Sequence, residues 1–196
     1  TVRGQGGHAA QPNRTVDPIV TTATLVSALQ TIASRNADPI QQIVVSVCSV
    51  ESSSKAFNVI PDAVTIRGTI RTMSKETREL AETRLKAIAT STCEAYGAKA
   101  EITWIKGYPA MVNSEEQTEF AAEVAREVAG NCDVAEITMG GEDFAYMLEE
   151  RPGAYIFLGN GDTQMCHHPA YQFDDEAIPL GCSWCAGMIE RRMPAQ

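Results

Sequence analysis

Apolar positions in the first hundred residues change period several times. Thr1 to Gly6 reads as the end of a strand, followed by a glycine-rich turn and His8. Behind Asp17-Pro18, an N-cap with proline at the first helical position, Ile19, Ala23, Val26, Leu29 and Ala33 keep helical spacing and predict a helix over about residues 18–34. Ile43-Val44-Val45-Ser46-Val47-Cys48 is β-branched and reads as a strand. Over residues 63–72, Val64, Ile66 and Ile70 alternate with Thr65, Arg67, Thr69 and Arg71, so this strand has one buried face and one open face carrying arginines. Ser74 caps a second helix of about residues 75–95, which Gly97 ends, and a last strand sets Ala100, Ile102 and Trp104 on one face. The order β-α-β-β-α-β is that of a ferredoxin-like domain, with two helices over one sheet face and the other face left polar.

After Gly107-Tyr108-Pro109 the pattern shifts. Ser114-Glu115-Glu116-Gln117 reads as a capping box opening a helix with Phe120, Val124 and Val128 on one stripe. Short strands at about 133–138 and 154–158 then alternate with helices at about 142–149 and 178–192. Ala154-Tyr155-Ile156-Phe157-Leu158 is apolar throughout, as in a parallel strand covered on both faces. Two such strands cannot cover their own faces and edges, so this half is expected to be part of a larger sheet. The reading is an α/β (α+β) chain: a ferredoxin-like domain over 1–109, then a partial, mostly parallel α/β segment over 110–196.

Charge sharpens the division. Residues 1–109 carry 12 Lys and Arg against 9 Asp and Glu, while residues 110–196 carry 4 against 16, within a net charge of −9. No basic run suits a nucleic-acid phosphate backbone, and no window approaches the roughly 18–20 apolar residues of a membrane helix. Six scattered cysteines fit reduced thiols better than a disulfide framework. A cytoplasmic protein is the expectation. The opening without Met or leader suggests a piece of something longer.

Candidate chemistry sits in a few places. His8 follows Gly4-Gln5-Gly6-Gly7, where glycines permit close approach of the backbone to a ligand or a neighbour. Asn58 and Arg71, thirteen residues apart, would converge on one carboxylate if the sheet bends, and arginine suits bidentate carboxylate capture. Gly140-Gly141-Glu142-Asp143-Phe144 follows a predicted strand and opens a helix; its amides suit an anion, and Glu142 either orients a ligand or complements the helix N-terminus. His167 and His168 lie in a loop after a buried strand, where α/β sheets place binding residues. Cys182-Ser183-Trp184-Cys185 falls within a helical pattern and reads best as two small residues on one face.

Taken together, Gly4-Gln5-Gly6-Gly7-His8-Ala9-Ala10-Gln11-Pro12, Asn58-Val59-Ile60-Pro61 with Gly68-Thr69-Ile70-Arg71-Thr72, Met139-Gly140-Gly141-Glu142-Asp143-Phe144 and His167-His168-Pro169-Ala170-Tyr171-Gln172-Phe173-Asp174-Asp175 resemble the amidohydrolases of the aminoacylase, hippurate hydrolase and auxin-conjugate hydrolase type, relatives of carboxypeptidase G and succinyl-diaminopimelate desuccinylase. The resemblance implies that residues 1–109 are the lid, or dimerisation, domain and 110–196 the C-terminal part of a metal-dependent catalytic domain. It implies hydrolysis of the amide bond of hippurate-like N-acyl amino acids by a homodimer joined through its lids, with a divalent metal pair (Zn, Mn, Co or Ni) in the intact parent. By the same resemblance His8 reaches the partner's site to stabilise the oxyanion. Asn58 and Arg71 hold the substrate carboxylate with Gly140 and Gly141 beside them, His167 is the last metal ligand, and Glu142 is a site acid. The family's other metal ligands and its general base belong to an N-terminal half whose motifs are absent here. The chain is therefore expected to be a fragment, inactive alone and binding no metal. The rival readings are a non-enzymatic dimerisation or binding module, and a zinc or redox protein using Cys166, His167, Cys182 and Cys185.

Overall fold

The Asp17 carboxylate accepts hydrogen bonds from the amides of Ile19 at 2.8 Å and Val20 at 3.4 Å, and Pro18 opens the helix behind it. The computed structural model describes residues 1–193, which fall into two units: Thr1–Ala110 with Met139–Gly141, and Met111–Thr138 with the residues from Glu142 onward. In the first unit, α1 (Pro18–Leu29) gives way to a wider π-type turn over Ile32–Asn36, so one expected helix is two segments. Helix α2 (Lys75–Ala95) starts where Ser74 Oγ accepts the Thr77 amide at 3.1 Å.

Six strands complete this unit: β1 (Val2–Arg3), β2 (Gly7–His8), β3 (Ile43–Ser52), β4 (Val59–Ile60), β5 (Ala63–Thr72) and β6 (Lys99–Ala100). Four of them form an antiparallel sheet in the order β3-β5-β1-β6, the ferredoxin-like topology, while β2 pairs with β4. Both helices lie over one face. Val2, Leu25, Leu29, Ile32, Ala81, Ala89 and Cys93 make the core, against which Val45, Val47, Ile66 and Ile70 pack. The other face carries Arg67 paired with Glu51 at 2.7 Å and Arg3 paired with Glu101 at 2.9 Å, both exposed. Strand β6 is shorter than its alternation predicts. Its ladder ends where β1 ends, with the Glu101 amide donating to the Thr1 carbonyl.

The second unit holds α3 (Glu115–Ala129), α4 (Phe144–Glu150) and α5 (Ala177–Arg192). Helix α5 packs on α3: the Trp184 indole donates to the Ala121 carbonyl at 3.0 Å, and bare Gly187 makes room for Val124. Arg191 pairs with Glu123 and Glu127, and Arg192 sits 4.4 Å over the Phe120 ring. The expected capping box does not close. Ser114 Oγ accepts the Gly153 amide instead, and Gln117 accepts from Arg192. Nor do the expected strands at 133–138 and 154–158 form among the described residues, because a parallel strand exists only beside a neighbour and none is present in this unit. Phe157 and Val134 stand exposed in consequence. Among the described residues no helix is long and apolar enough to cross a membrane.

Ile32 is fully buried beneath both helices. Ile32→Ala should cost about 2–5 kcal/mol through a cavity that rigid helices cannot close, measured as a shifted urea midpoint.

Candidate functional site

The chain from Val2 to Ala9 and the chain from Asn58 to Val64 run as one antiparallel ribbon. Val2 faces Val64, Gly7 faces Ile60, His8 faces Val59, and the Ala9 amide donates to the Asn58 carbonyl at 3.1 Å. Asp62 holds the junction between ribbon and sheet, taking the Gly4 amide on its carbonyl at 2.8 Å and the Gly6 amide on its carboxylate at 2.9 Å. The ribbon projects past the four-stranded sheet as an arm, bringing His8 and Asn58 together and exposed near its end. The Ala10 amide donates to His8 Nδ1 at 3.1 Å.

Arg71 lies elsewhere. It pairs with Val44 near the far end of β5, eight residues beyond Ala63, and at about 3.3 Å per residue that stretch alone spans roughly 26 Å. Asn58 lies beyond Ala63 in the opposite direction, so the expected convergence of Asn58 and Arg71 within one chain does not occur. A regular strand does not fold back on itself, and the register shift between Val47 and Ser49 is confined to β3. Arg71 instead meets the glycine loop. A Cβ built on Gly141 would lie 2.9 Å from the Arg71 guanidinium and 3.2 Å from the Tyr108 ring, so only glycine admits both so close to its backbone.

In the second unit Glu142 has both oxygens engaged. Tyr155 donates its hydroxyl to Oε2 at 2.9 Å, and the Phe144 amide donates to Oε1 at 3.3 Å. The Tyr155 hydrogen bond, followed by the Phe144 amide, lowers the Glu142 pKa below the ordinary carboxylate value. The same bond raises the Tyr155 pKa, because losing the phenolic proton would set two anions together. Asn113 fixes Tyr155 from its other side, donating to the Tyr155 carbonyl at 2.9 Å and accepting its amide at 2.8 Å. Tyr155 and Asn113 are site residues that sequence reasoning passed over. Tyr155 was absorbed into an apolar run, and no local pattern marks an Asn that pairs with a residue forty-two positions away.

His167 occupies a left-handed conformation, φ +71°, uncommon outside glycine and of the kind that collects at functional loops. Its loop is held by Asn160, which donates to the Gln172 carbonyl at 2.6 Å and accepts the Asp174 amide at 2.8 Å. The adjacent His168 has Nδ1 occupied by the Ala170 amide at 3.1 Å. No group of three or more His, Cys, Asp or Glu side chains placed to hold a metal occurs among the described residues. The zinc reading built on Cys166, His167, Cys182 and Cys185 is thereby corrected: the helix and the loop do not gather these four, and all six cysteines are free.

Residues 6–191 match the model of peptidase family M20/M25/M40. The chain belongs to this family. It is 36% identical over 185 residues to the N-acetylcysteine deacetylase of Bacillus subtilis, covering 94% of this chain and 48% of that protein. It is likewise 36% identical over 188 residues to the hippurate hydrolase of Campylobacter jejuni, covering 94% and 49%. Among solved structures, a putative aminohydrolase from methicillin-resistant Staphylococcus aureus superposes with a TM-score of 0.79 at 31% identity, covering 96% of this chain and 48% of its own. A Bacillus subtilis dinuclear metal binding peptidase of the M20 family gives 0.70 at 30%, covering 95% and 48%. This M20 chain thus spans about half the length of the curated relatives it matches.

The Glu142–Tyr155 pair sets a pH window. A lowered carboxylate pKa favours folding above the unfolded value of about 4.3 and loses its effect as pH falls through the folded value; a raised phenol pKa favours folding below about 10 and loses its effect as pH rises through the folded value. In an ultraviolet titration of the chain, Tyr155→Phe should remove the highest-titrating phenol, and Glu142→Gln should bring that phenol back toward its ordinary value.

Proposed function

We propose that the parent of this chain hydrolyses the amide bond of N-acyl amino acids, and that this chain supplies the groups that grip the free carboxylate and support the amide oxygen. The observation that carries the reading is the Arg71 guanidinium seated against the bare backbone of Gly141. A planar fork beside glycine amides is suited to a carboxylate, which Arg71 takes in bidentate fashion with the Gly140 and Gly141 amides beside it. The names of two relatives, N-acetylcysteine deacetylase and hippurate hydrolase, are those of enzymes acting on N-acyl amino acids, and support the same substrate class.

In this reading residues 1–109 are the lid and 110–196 part of the catalytic domain. His167 is one ligand of a divalent metal pair (Zn, Mn, Co or Ni), a pair supported by the dinuclear relative. The side chains described here do not themselves make a metal site, so the remaining ligands belong to the part of the parent that this chain does not span. Glu142 is a fixed anion of the site loop. The six free cysteines suit a reducing compartment such as the cytoplasm.

His8 and Asn58 complete the site from a second copy. Strand β3 is a ten-residue edge, without lysine or proline, whose outer side is unpaired among the described residues. Antiparallel pairing of β3 with the β3 of another copy reverses strand direction across the two-fold axis, so the arm of one copy comes to the Arg71 end of the other.

In the parent enzyme, Arg71→Ala should raise KM for an N-acyl amino acid about 10–100-fold, as expected for losing a charge-assisted pair of hydrogen bonds. His8→Ala should chiefly lower kcat, and normal turnover in that variant would remove His8 from the mechanism. For the dimer, hydrogen exchange over residues 43–52 should slow as protein concentration and sedimenting mass rise together. Unchanged exchange in a larger species would place the interface elsewhere, and a dimer of the parent with no hydrolysis would favour a binding module.

A further inference from the structure

The arm carries more than the position of His8. The turn after it closes back on the same residue twice: the Gln11 amide donates to the His8 carbonyl at 2.8 Å, and the Ala10 amide donates to the His8 ring at Nδ1, 3.1 Å away. On the strand side, the Ala9 amide is held by the Asn58 carbonyl at 3.1 Å. A ring nitrogen that accepts a hydrogen bond uses its lone pair for it and bears no proton, so the neutral imidazole carries its proton on Nε2.

We propose that His8 works as a hydrogen-bond donor through Nε2–H, in the neutral tautomer selected by the Ala10 amide, and that Ala10 is the positioning residue that makes it one. The inference rests on the reading above, in which His8 supports the amide oxygen of the substrate. It adds what kind of group His8 is. For Nε2 to accept a proton from a neutral ring, the ring proton must first sit on Nδ1, where it would point at the Ala10 N–H. That arrangement gives up a hydrogen bond and sets two donors face to face. A base at Nε2 therefore works against the turn, whereas a donor at Nε2 works with it, and an oxygen gaining negative charge is the partner such a donor stabilises most. His168 has the same geometry, its Nδ1 accepting the Ala170 amide at 3.1 Å, and so provides an internal comparison within one molecule.

Long-range proton–nitrogen NMR of the isotope-labelled chain, at a pH where imidazoles are neutral, tests the tautomer directly. His8 should show a protonated Nε2 and a bare Nδ1. Ala10→Pro, which lacks the amide hydrogen, should move His8 into a tautomer mixture while His168 in the same sample stays unchanged. Ala10→Gly, which keeps the amide, should leave His8 as it was. A protonated Nδ1 on His8 in the unsubstituted chain, or a tautomer indifferent to Ala10→Pro in a variant whose His168 is intact, overturns the proposal. In the parent enzyme, His8→Gln retains a side-chain N–H donor and should keep about tenfold more turnover than His8→Ala, the equivalent of one hydrogen bond. Equal loss in both variants overturns the donor assignment. Normal turnover in His8→Ala overturns instead the reading on which it rests.

Discussion

A β-strand cannot bring its own ends together, and the amino-terminal unit is organised around that constraint. Strand β5 pairs with β3 along its whole length and with β1 at its beginning, and it continues backward through Pro61 into the arm. The arm and the sheet are therefore parts of one extended path, with His8 and Asn58 at one end and Arg71 at the other. Helices α1 and α2 keep this path straight by burying its inner face. Two sets of polar groups that suit one small substrate are thus held apart by the element that orders them both.

The second unit solves a different problem. Without a neighbouring strand, the residues around Tyr155 satisfy their backbone through side chains. Asn113 offers a donor and an acceptor to Tyr155 much as a strand would, and Ser114 treats Gly153 the same way, its amide reaching the Gly153 carbonyl at 3.0 Å and its hydroxyl accepting the Gly153 amide. Held so, Tyr155 presents its hydroxyl to Glu142 and stacks obliquely on Phe144, ring centres 5.7 Å apart. Fixing one backbone segment thereby fixes the charge state and the direction of a carboxylate thirteen residues earlier.

What the sequence made legible follows from how local each signal is. Asp17-Pro18 and Ser74 marked helix starts because a cap is settled within three residues, and the alternation from Val64 to Arg71 named both faces of β5 because side-chain direction has a period of two. The same locality misled at Ser114, whose capping pattern is intact in the sequence while its hydroxyl is taken by a residue thirty-nine positions away. The apolar run at 154–158 has strand composition, but a strand is a relation between two segments and composition describes one. His8, Asn58, Arg71 and His167 were found by kind and context. That Asn58 sits with His8 and apart from Arg71 depends on register, which no single segment encodes.

One feature of the sheet bears on how the chain acquires its fold. Strand β1, at the very start of the sequence, is an interior strand: Val2 pairs with Val64 on one side and Ala100 on the other, and its side chain lies in the core. During synthesis the first residues must wait for a hundred more to emerge before both of their neighbours exist, while the β3–β5 pairing and helix α2 depend only on nearer sequence. Contacts that close such long loops are entropically costly and slow to form. The sheet is therefore completed by its earliest-made residues, entering last between strands already in place.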